Sequence, residues 1–285
     1  MTVSEIQIRD PFVLPVLDEG AYYLFGSTDP NICSGPGVRF DCYRSIDLVK
    51  WVGPIAAFRP PAGFWSPGSF WAPEVHRVGD GWFMFATFTG VDGHRGTQVL
   101  HASRPEGPYE PWSNGAVTPE AWQRLDGTLY ADETGPWLVF CHEWLQCGDG
   151  KVCAIRLTDD LREATGEVSL LFRASETAWA PDLHVTDGPF IYRSQDGQLV
   201  ILWSSMGKRG YAMGLARSVS GSVLGPWVQD DQPIWGEDGG HGMVFRSFDG
   251  QLYLTLHTPN ETPKERVVFV SIDETGGPLS LTKSI

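Results

Sequence analysis

The sequence predicts an all-β fold, a five-bladed β-propeller, on three observations. A short apolar, aromatic-rich run recurs five times at nearly even spacing. Each copy follows a turn signal that ends in glycine. No stretch between the copies sustains the 3.6-residue amphipathic period of a helix.

The runs are Ala21-Tyr22-Tyr23-Leu24-Phe25, Trp82-Phe83-Met84-Phe85-Ala86, Trp137-Leu138-Val139-Phe140-Cys141, Leu199-Val200-Ile201-Leu202-Trp203 and Leu252-Tyr253-Leu254-Thr255-Leu256, with starts 61, 55, 62 and 53 residues apart. Five continuous apolar residues between glycine turns are too short for a helix and read as strands buried on both faces. A second element recurs between them. Ser45-Ile46-Asp47-Leu48 leads to Trp51, Ala102-Ser103 to Gly107-Pro108-Tyr109, and Ala216-Arg217-Ser218 to Gly225-Pro226-Trp227, while Thr158-Asp159-Asp160-Leu161 fills the same place in the third unit. Each unit is thus a few antiparallel strands ending in an aromatic-capped turn. Five such sheets packed radially around a channel protect their edges, and the array must be complete to bury its faces. One domain over residues 1–285 is expected. A pair of β-sandwiches would not explain five spaced copies.

Composition agrees. The 33 Gly and 21 Pro are spread along the chain, as many short strands and turns require. The 12 Trp, 15 Phe and 8 Tyr supply core, and they also suit a sugar partner, whose C–H faces lie against aromatic rings. The net charge of −14 argues against a nucleic-acid partner, which needs a basic footprint. No apolar run approaches the ~20 residues of a membrane span, so no membrane partner is expected. The start, MTVSEIQIRDPF, shows neither the basic nor the apolar region of a signal peptide. A cytoplasmic location is therefore expected, or a secreted one if a leader has been removed. The five cysteines, Cys33, Cys42, Cys141, Cys147 and Cys153, include no C-x-x-C pair and read as buried free thiols.

Propeller sites lie on the axis, so the residues ahead of each buried strand are the candidates. Asp10, Asp126, Asp187 and His241 stand 11 or 12 residues ahead of their runs, and Glu74 stands 8 ahead of its own. Carboxylates gathered around one axis repel and shift one another's pKa values, which separates an acid from a base. Trp71-Ala72-Pro73-Glu74-Val75-His76 is nearly repeated as Trp179-Ala180-Pro181-Asp182-Leu183-His184, two blades later, and reads as a structural strand start with core histidines.

On these motifs the chain resembles glycoside hydrolase family 43, the inverting five-bladed enzymes acting on arabinose-, xylose- and galactose-containing glycans. The resemblance spans nearly the whole chain. R-D-P-F with the following Y-Y-L-F resembles the family's general-base segment and implies that role for Asp10. L-D-G-T-L implies Asp126 as orienter and pKa modulator. T-D-G-P-F-I-Y-R resembles the general-acid segment and implies that role for Asp187. The family usually carries Glu there, and Asp stands back by about one carbon–carbon bond, so Glu143 and Glu74 remain alternative acids. G-G-H-G-M resembles the segment of the family's axial histidine, His241, beside which some members hold a metal or a water. No cofactor is required on this reading, and a calcium or other divalent ion near His241 is the one allowed. Trp71, Glu74, Phe190, Arg217 and His241 are the expected substrate contacts, with Phe64 and Trp65 as further wall residues.

The expected function is an inverting, exo-acting glycoside hydrolase on terminal arabinofuranosyl, xylosyl or galactofuranosyl residues of oligosaccharides. The alternatives are a non-catalytic sugar-binding propeller and another five-bladed enzyme, a fructan hydrolase or a glycoside phosphorylase. A phosphorylase needs a basic cluster for phosphate, which this sequence does not display.

Overall fold

A computed structural model describes residues 1–33, 35–274 and 279–282. They form five four-stranded antiparallel sheets, each built from strands consecutive in the chain. The first blade is β1 (Arg9–Val16), β2 (Ala21–Ser27), β3 (Phe40–Ser45) and β4 (Trp51–Phe58). The second is β5 (Gly68–Val78), β6 (Gly81–Thr89), β7 (Arg95–Ala102) and β8 (Glu110–Ala116). The third is β9 (Arg124–Asp132), β10 (Gly135–His142), β11 (Lys151–Leu157) and β12 (Ala164–Arg173), with a one-turn helix α1 (Trp144–Cys147) between β10 and β11. The fourth is β13 (Leu183–Arg193), β14 (Leu199–Gly207), β15 (Gly210–Ser218) and β16 (Trp227–Gln229). The fifth is β17 (Gly240–Arg246), β18 (Leu252–Thr258), β19 (Arg266–Asp273) and β20 (Ser280–Leu281). This is the five-bladed propeller that the repeat predicts.

The five apolar runs fall on β2, β6, β10, β14 and β18, the second strand of each blade. A second strand is paired along both edges and covered on both faces, so its side chains are apolar without alternation; β2 is buried throughout. The cores lie between neighbouring sheets. Phe83, Phe85, Val99, Leu138 and Phe140 fill one gap, and Trp137, Val139, Phe172, Trp179, Ile201 and Trp203 the next. Each such side chain contributes about 1.5–3 kcal/mol by burial. The aromatic-capped turns have a common mechanism. Trp51 Nε1 donates to Leu48 O (3.2 Å), Tyr109 Oη to Pro105 O (2.7 Å) and Trp227 Nε1 to Val223 O (2.9 Å), so each buried ring ties off a carbonyl three or four residues earlier.

No strand is exchanged between the first and last blades among the described residues. The ring closes through the N-terminal segment instead. Met1 exchanges backbone bonds with Trp51 on blade one, Gln7 bridges Arg266 on blade five, and Arg266 Nε donates to Ser4 O at 3.0 Å. Tyr22 of blade one stacks on Phe248 of blade five at 4.2 Å and accepts its amide at 2.8 Å.

Candidate active site

The innermost strands β1, β5, β9, β13 and β17 share one irregularity. Each breaks register with its neighbour near its start, and a bulge residue there takes a positive φ: Asp10 (54°), Ala72 (46°), Asp126 (57°), Gly188 (50°) and His241 (45°), with Ser69 (53°) a second such residue at an earlier shift of β5. Four of the five are not glycine, and such a conformation costs on the order of 1–3 kcal/mol for an L side chain. The next residue is always Pro or Gly: Pro11, Pro73, Gly127, Pro189 and Gly242. At Gly242 the reason is direct, since a Cβ there would stand 1.7 Å from Thr255 O.

A ring of bonds repeats around the axis and offsets the strain. The bulge amide of each blade is satisfied by a side chain, in four cases from the second strand of the preceding blade. Ala72 N donates to Ser27 Oγ (2.9 Å), Asp126 N to Thr87 Oγ1 (2.8 Å), His241 N to Ser204 Oγ (2.8 Å) and Asp10 N to His257 Nδ1 (3.2 Å). Blade three carries Cys141 at the corresponding place, paired with Leu125, and Gly188 N donates instead to Asp126 Oδ2 at 3.0 Å.

Two rings of side chains therefore line the axis. The residues just before the bulges are Arg9, Trp71, Leu125, Asp187 and Gly240; those at the bulges are Asp10, Ala72, Asp126, Gly188 and His241. Arg9, Asp10, Trp71, Leu125, Asp126, Asp187 and His241 all line a pocket of about 200 Å³. Ile32 and Cys33 from the β2–β3 loop, Arg95 from β7, and Glu143, Trp144 and Leu145 from the β10–β11 connection complete its wall.

Asp10 is buried. Ser27 Oγ donates to its Oδ2 at 2.7 Å, His241 Nδ1 stands 3.1 Å from its Oδ1, and Arg9 Nε stands 3.6 Å from the same oxygen. Burial alone would raise its pKa, but His241, Arg9, His257 and the Ser27 hydroxyl together outweigh it and hold the carboxyl below its ordinary value. Burial also lowers both histidines, His257 to about 3, so both rings are neutral at neutral pH and the full positive charge facing Asp10 is that of Arg9. His257 Nδ1 accepts the Asp10 amide, which leaves its ring proton on Nε2.

Asp126 and Asp187 behave in the opposite sense. Burial and the charges of Asp187 and Asp10 push Asp126 well above its ordinary value. Burial and the charge of Glu143 raise Asp187 to about 7, against the Tyr211 hydroxyl that donates to its Oδ2 at 3.1 Å. Glu143 is itself buried and raised by burial, while Arg95 Nη1, 2.6 Å from its Oε2, opposes the rise. The Arg95 guanidinium lies 4.8 Å from the Trp71 ring centroid, and Trp71 Nε1 donates to Ile32 O at 2.5 Å. One group thus stays ionised while another keeps its proton to near neutrality, the pairing that acid–base catalysis at one centre needs.

The sequence profile of Glycosyl hydrolases family 43 matches residues 2–272. The chain belongs to this family. It is therefore a glycosyl hydrolase. It is similar to an endo-arabinase from Bacteroides thetaiotaomicron, at 40% identity and a TM-score of 0.89, with 97% of this chain and 98% of that one covered. It also resembles a thermostable family-43 glycoside hydrolase (23% identity, TM-score 0.84, 98% and 93% covered). An endo-1,4-β-xylanase from B. thetaiotaomicron shares the fold at 24% identity and a TM-score of 0.79, with 99% and 96% covered. No match was found among curated proteins.

In this family-43 hydrolase the structure brings Asp10, Asp126, Asp187, Trp71 and His241 to one pocket. It places three other residues elsewhere. Arg217 pairs in register with Val200, at the end of β14 remote from the Asp187–Ser204 pair, and is tied to Asp230 by two bonds of 2.7 and 2.6 Å. Phe190 lies past the bulge and packs edge-on against Phe12 at 6.3 Å, in the core. Glu74 lies two residues past the blade-two bulge, where it meets His76 Nε2 at 3.3 Å and does not line the pocket. Ala72 holds the place the sequence reading gave to Glu74, and the spacing of 8 against 10 to 11 was the signal. The W-A-P copies also differ in role: the first spans a bulge of β5, whereas the second precedes β13 and buries Trp179 against Trp203 at 4.9 Å. Cys33 is exposed, in contrast to the buried thiols Cys42, Cys141 and Cys153. Arg9, Arg95, Trp144 and Tyr211 were not singled out; only Arg9 had a local signal, standing beside Asp10 in the R-D-P-F segment.

The axial His241 turns its Nδ1 to Asp10 at 3.1 Å. Among the described residues no group of three or more His, Cys, Asp or Glu is placed to hold a metal. No helix among them is long and apolar enough to cross a membrane.

Proposed function

We propose that this glycosyl hydrolase removes single terminal sugars from an oligosaccharide with inversion, and that arabinofuranosyl ends are its first substrate class, ahead of xylosyl and galactofuranosyl ends. The observation that carries this reading is the opposed protonation of two carboxyls in one pocket, Asp10 held ionised and Asp187 raised to about 7. In an inverting reaction one carboxylate takes a proton from water as it attacks the anomeric carbon, and one carboxylic acid protonates the departing oxygen; the pair stands roughly 6.5–9.5 Å apart. Asp10 is the base. Asp187 is the acid, and Tyr211 fixes its orientation. Asp126 accepts the amide of Gly188, the residue after Asp187, and so helps to hold the segment of the acid in place. The pocket of about 200 Å³ suits one sugar ring, which supports exo action. The likeness to a protein described as an endo-arabinase supports the arabinose class.

The test is turnover of nitrophenyl α-L-arabinofuranoside, β-D-xyloside and β-D-galactofuranoside by the wild type, Asp10→Ala and Asp187→Ala, with NMR of the first-formed anomer. Cleavage of one glycoside with inverted product, lost a hundredfold or more in Asp10→Ala, is expected. An inert wild type, or a retained anomer, would overturn the reading.

A further inference from the structure

A second cavity, about 400 Å³ and twice the volume of the axial pocket, opens between blades two and three. Its walls come from the β6–β7 loop (Asp92, His94), the end of β8 (Asn114, Ala116) and the β8–β9 connection (Thr118, Glu120). All three segments lie at the end of the blades that carries the bulges, since β9 begins beside its bulge at Asp126 and β6 ends opposite the start of β5. Arg95 lines both cavities, so one guanidinium separates them.

The chemistry of the walls selects a neutral, hydroxylated ligand. Arg124 spends four of its five N–H donors on the protein, on Thr118 Oγ1, Thr118 O, Glu120 O and Trp122 O. That cation therefore braces the connection rather than awaiting an anion. Arg95 Nη1 is committed to Glu143, while its Nε has no hydrogen-bond partner among the described residues. Asp92 is engaged by His94, through the backbone at 3.0 Å and the ring at 3.1 Å. With its arginines tied to the protein and with Asp92 and Glu120 in its wall, the cavity disfavours an anion, and it offers a ligand hydroxyl-sized hydrogen bonding plus one aromatic, Trp65. That indole lines the cavity and is anchored by its Nε1 to Gln98 Oε1 at 2.6 Å. Gly90 keeps its ring clear, since a Cβ there would come within 3.2 Å of Trp65 Cζ3. A rigid aromatic with fixed polar neighbours is the lining expected of a small-ligand site, and the volume falls in that range.

We infer that the cavity between blades two and three is a glycan subsite, which holds neutral sugar units on the leaving-group side of the bond broken in the axial pocket. This rests on the proposed exo-hydrolase reading. A substrate of three or four sugars then spans Arg95, with its terminal ring on the axis and its remaining rings beside Trp65. A nitrophenyl monosaccharide fills the axial pocket alone.

The experiment compares kcat/KM on arabino-oligosaccharides of two to five sugars with kcat/KM on the nitrophenyl glycoside, in the wild type and in Asn114→Trp. Asn114 is exposed, so the large ring fills the cavity without entering the core. In the wild type kcat/KM is expected to rise tenfold or more between two and four sugars, and Asn114→Trp is expected to erase that rise. Titration of the inactive Asp10→Asn protein with arabinotetraose and with xylotetraose, with and without Asn114→Trp, reads the same subsite without turnover. A flat chain-length profile, or tetrasaccharide binding that Asn114→Trp leaves intact, overturns the subsite. Tetrasaccharide binding lost in Asn114→Trp from a wild type that cleaves no glycoside keeps the subsite and overturns the hydrolase reading on which substrate is cut.

Discussion

A carboxyl group that donates a proton near neutral pH needs neighbours that keep the proton on it. For Asp187 these are burial first and then the negative charge of Glu143. On the proposed roles the acid must be protonated, so activity should be lost as pH rises through about 7, whereas Asp10, held below its ordinary value, should keep the acidic side open. Glu143→Gln removes a negative charge near Asp187 and leaves Arg95 without its counter-ion. Both changes favour ionised Asp187, so the alkaline limb of kcat/KM should move to lower pH, by on the order of one unit. A pH–rate profile of the variant checks this. An unmoved limb refutes the coupling, and collapse of the rate at every pH on a substrate with a poor leaving group would instead make Glu143 the acid.

At the scale of the element, the bulge decides what reaches the pocket. Each inner strand sets its bulge residue at positive φ, and a hydrogen bond to the neighbouring blade holds it there. Ser27 shows the coupling most directly, because one buried hydroxyl donates to Asp10 Oδ2 and accepts the Ala72 amide. Ser27→Ala orphans that amide, at a cost of about 1–3 kcal/mol, and removes a donor from Asp10. Calorimetry should therefore show a lower Tm, and the acidic limb of the pH profile should rise as the Asp10 carboxyl becomes harder to ionise. An unchanged acidic limb with a lower Tm would assign Ser27 to stability alone. The bulge also explains why part of the site was legible in the sequence. Asp10, Asp126 and His241 each stand 11 residues before their buried strand because all three occupy the bulge. Asp187 stands at 12 because it occupies the place before it, in the ring of Arg9, Trp71 and Leu125. That offset of one residue brings the Asp187 carboxyl to the pocket from a different level than that of Asp10.

For the whole molecule, closure is the exposed problem. Five sheets, each made of consecutive strands, leave the first and last blades to meet without a shared strand among the described residues. The N-terminal segment does the joining, through Met1 on Trp51, Gln7 on Arg266, Ser4 on Arg266 and buried Ile6. Burial of Ile6 alone is worth about 1.5–3 kcal/mol, and 1 kcal/mol moves Tm by roughly 2–4 °C in a chain approaching this size. Removal of residues 1–7 should thus lower Tm by on the order of 5 °C or more, measured by scanning calorimetry, while the axial pocket keeps its lining. An unchanged Tm would show that packing between the first and last blades closes the ring without help.

The sequence by itself determined the repeat, the second strands, the aromatic-capped turns and the three axial aspartates, because these depend on local patterns: apolar continuity, glycine placement and even spacing. Only the tertiary structure decided which polar groups share a pocket. Arg217 and Arg95 are both strand arginines in the sequence, yet register sends one to the far end of blade four and the other to the wall beside Glu143. Glu74 fell past its bulge and Ala72 took its place, since a single positive φ shifts which residue faces the axis. The protonation of Asp10 and Asp187 was likewise a tertiary matter, because burial and the charges of residues from other blades set it, and no local window of the chain contains them.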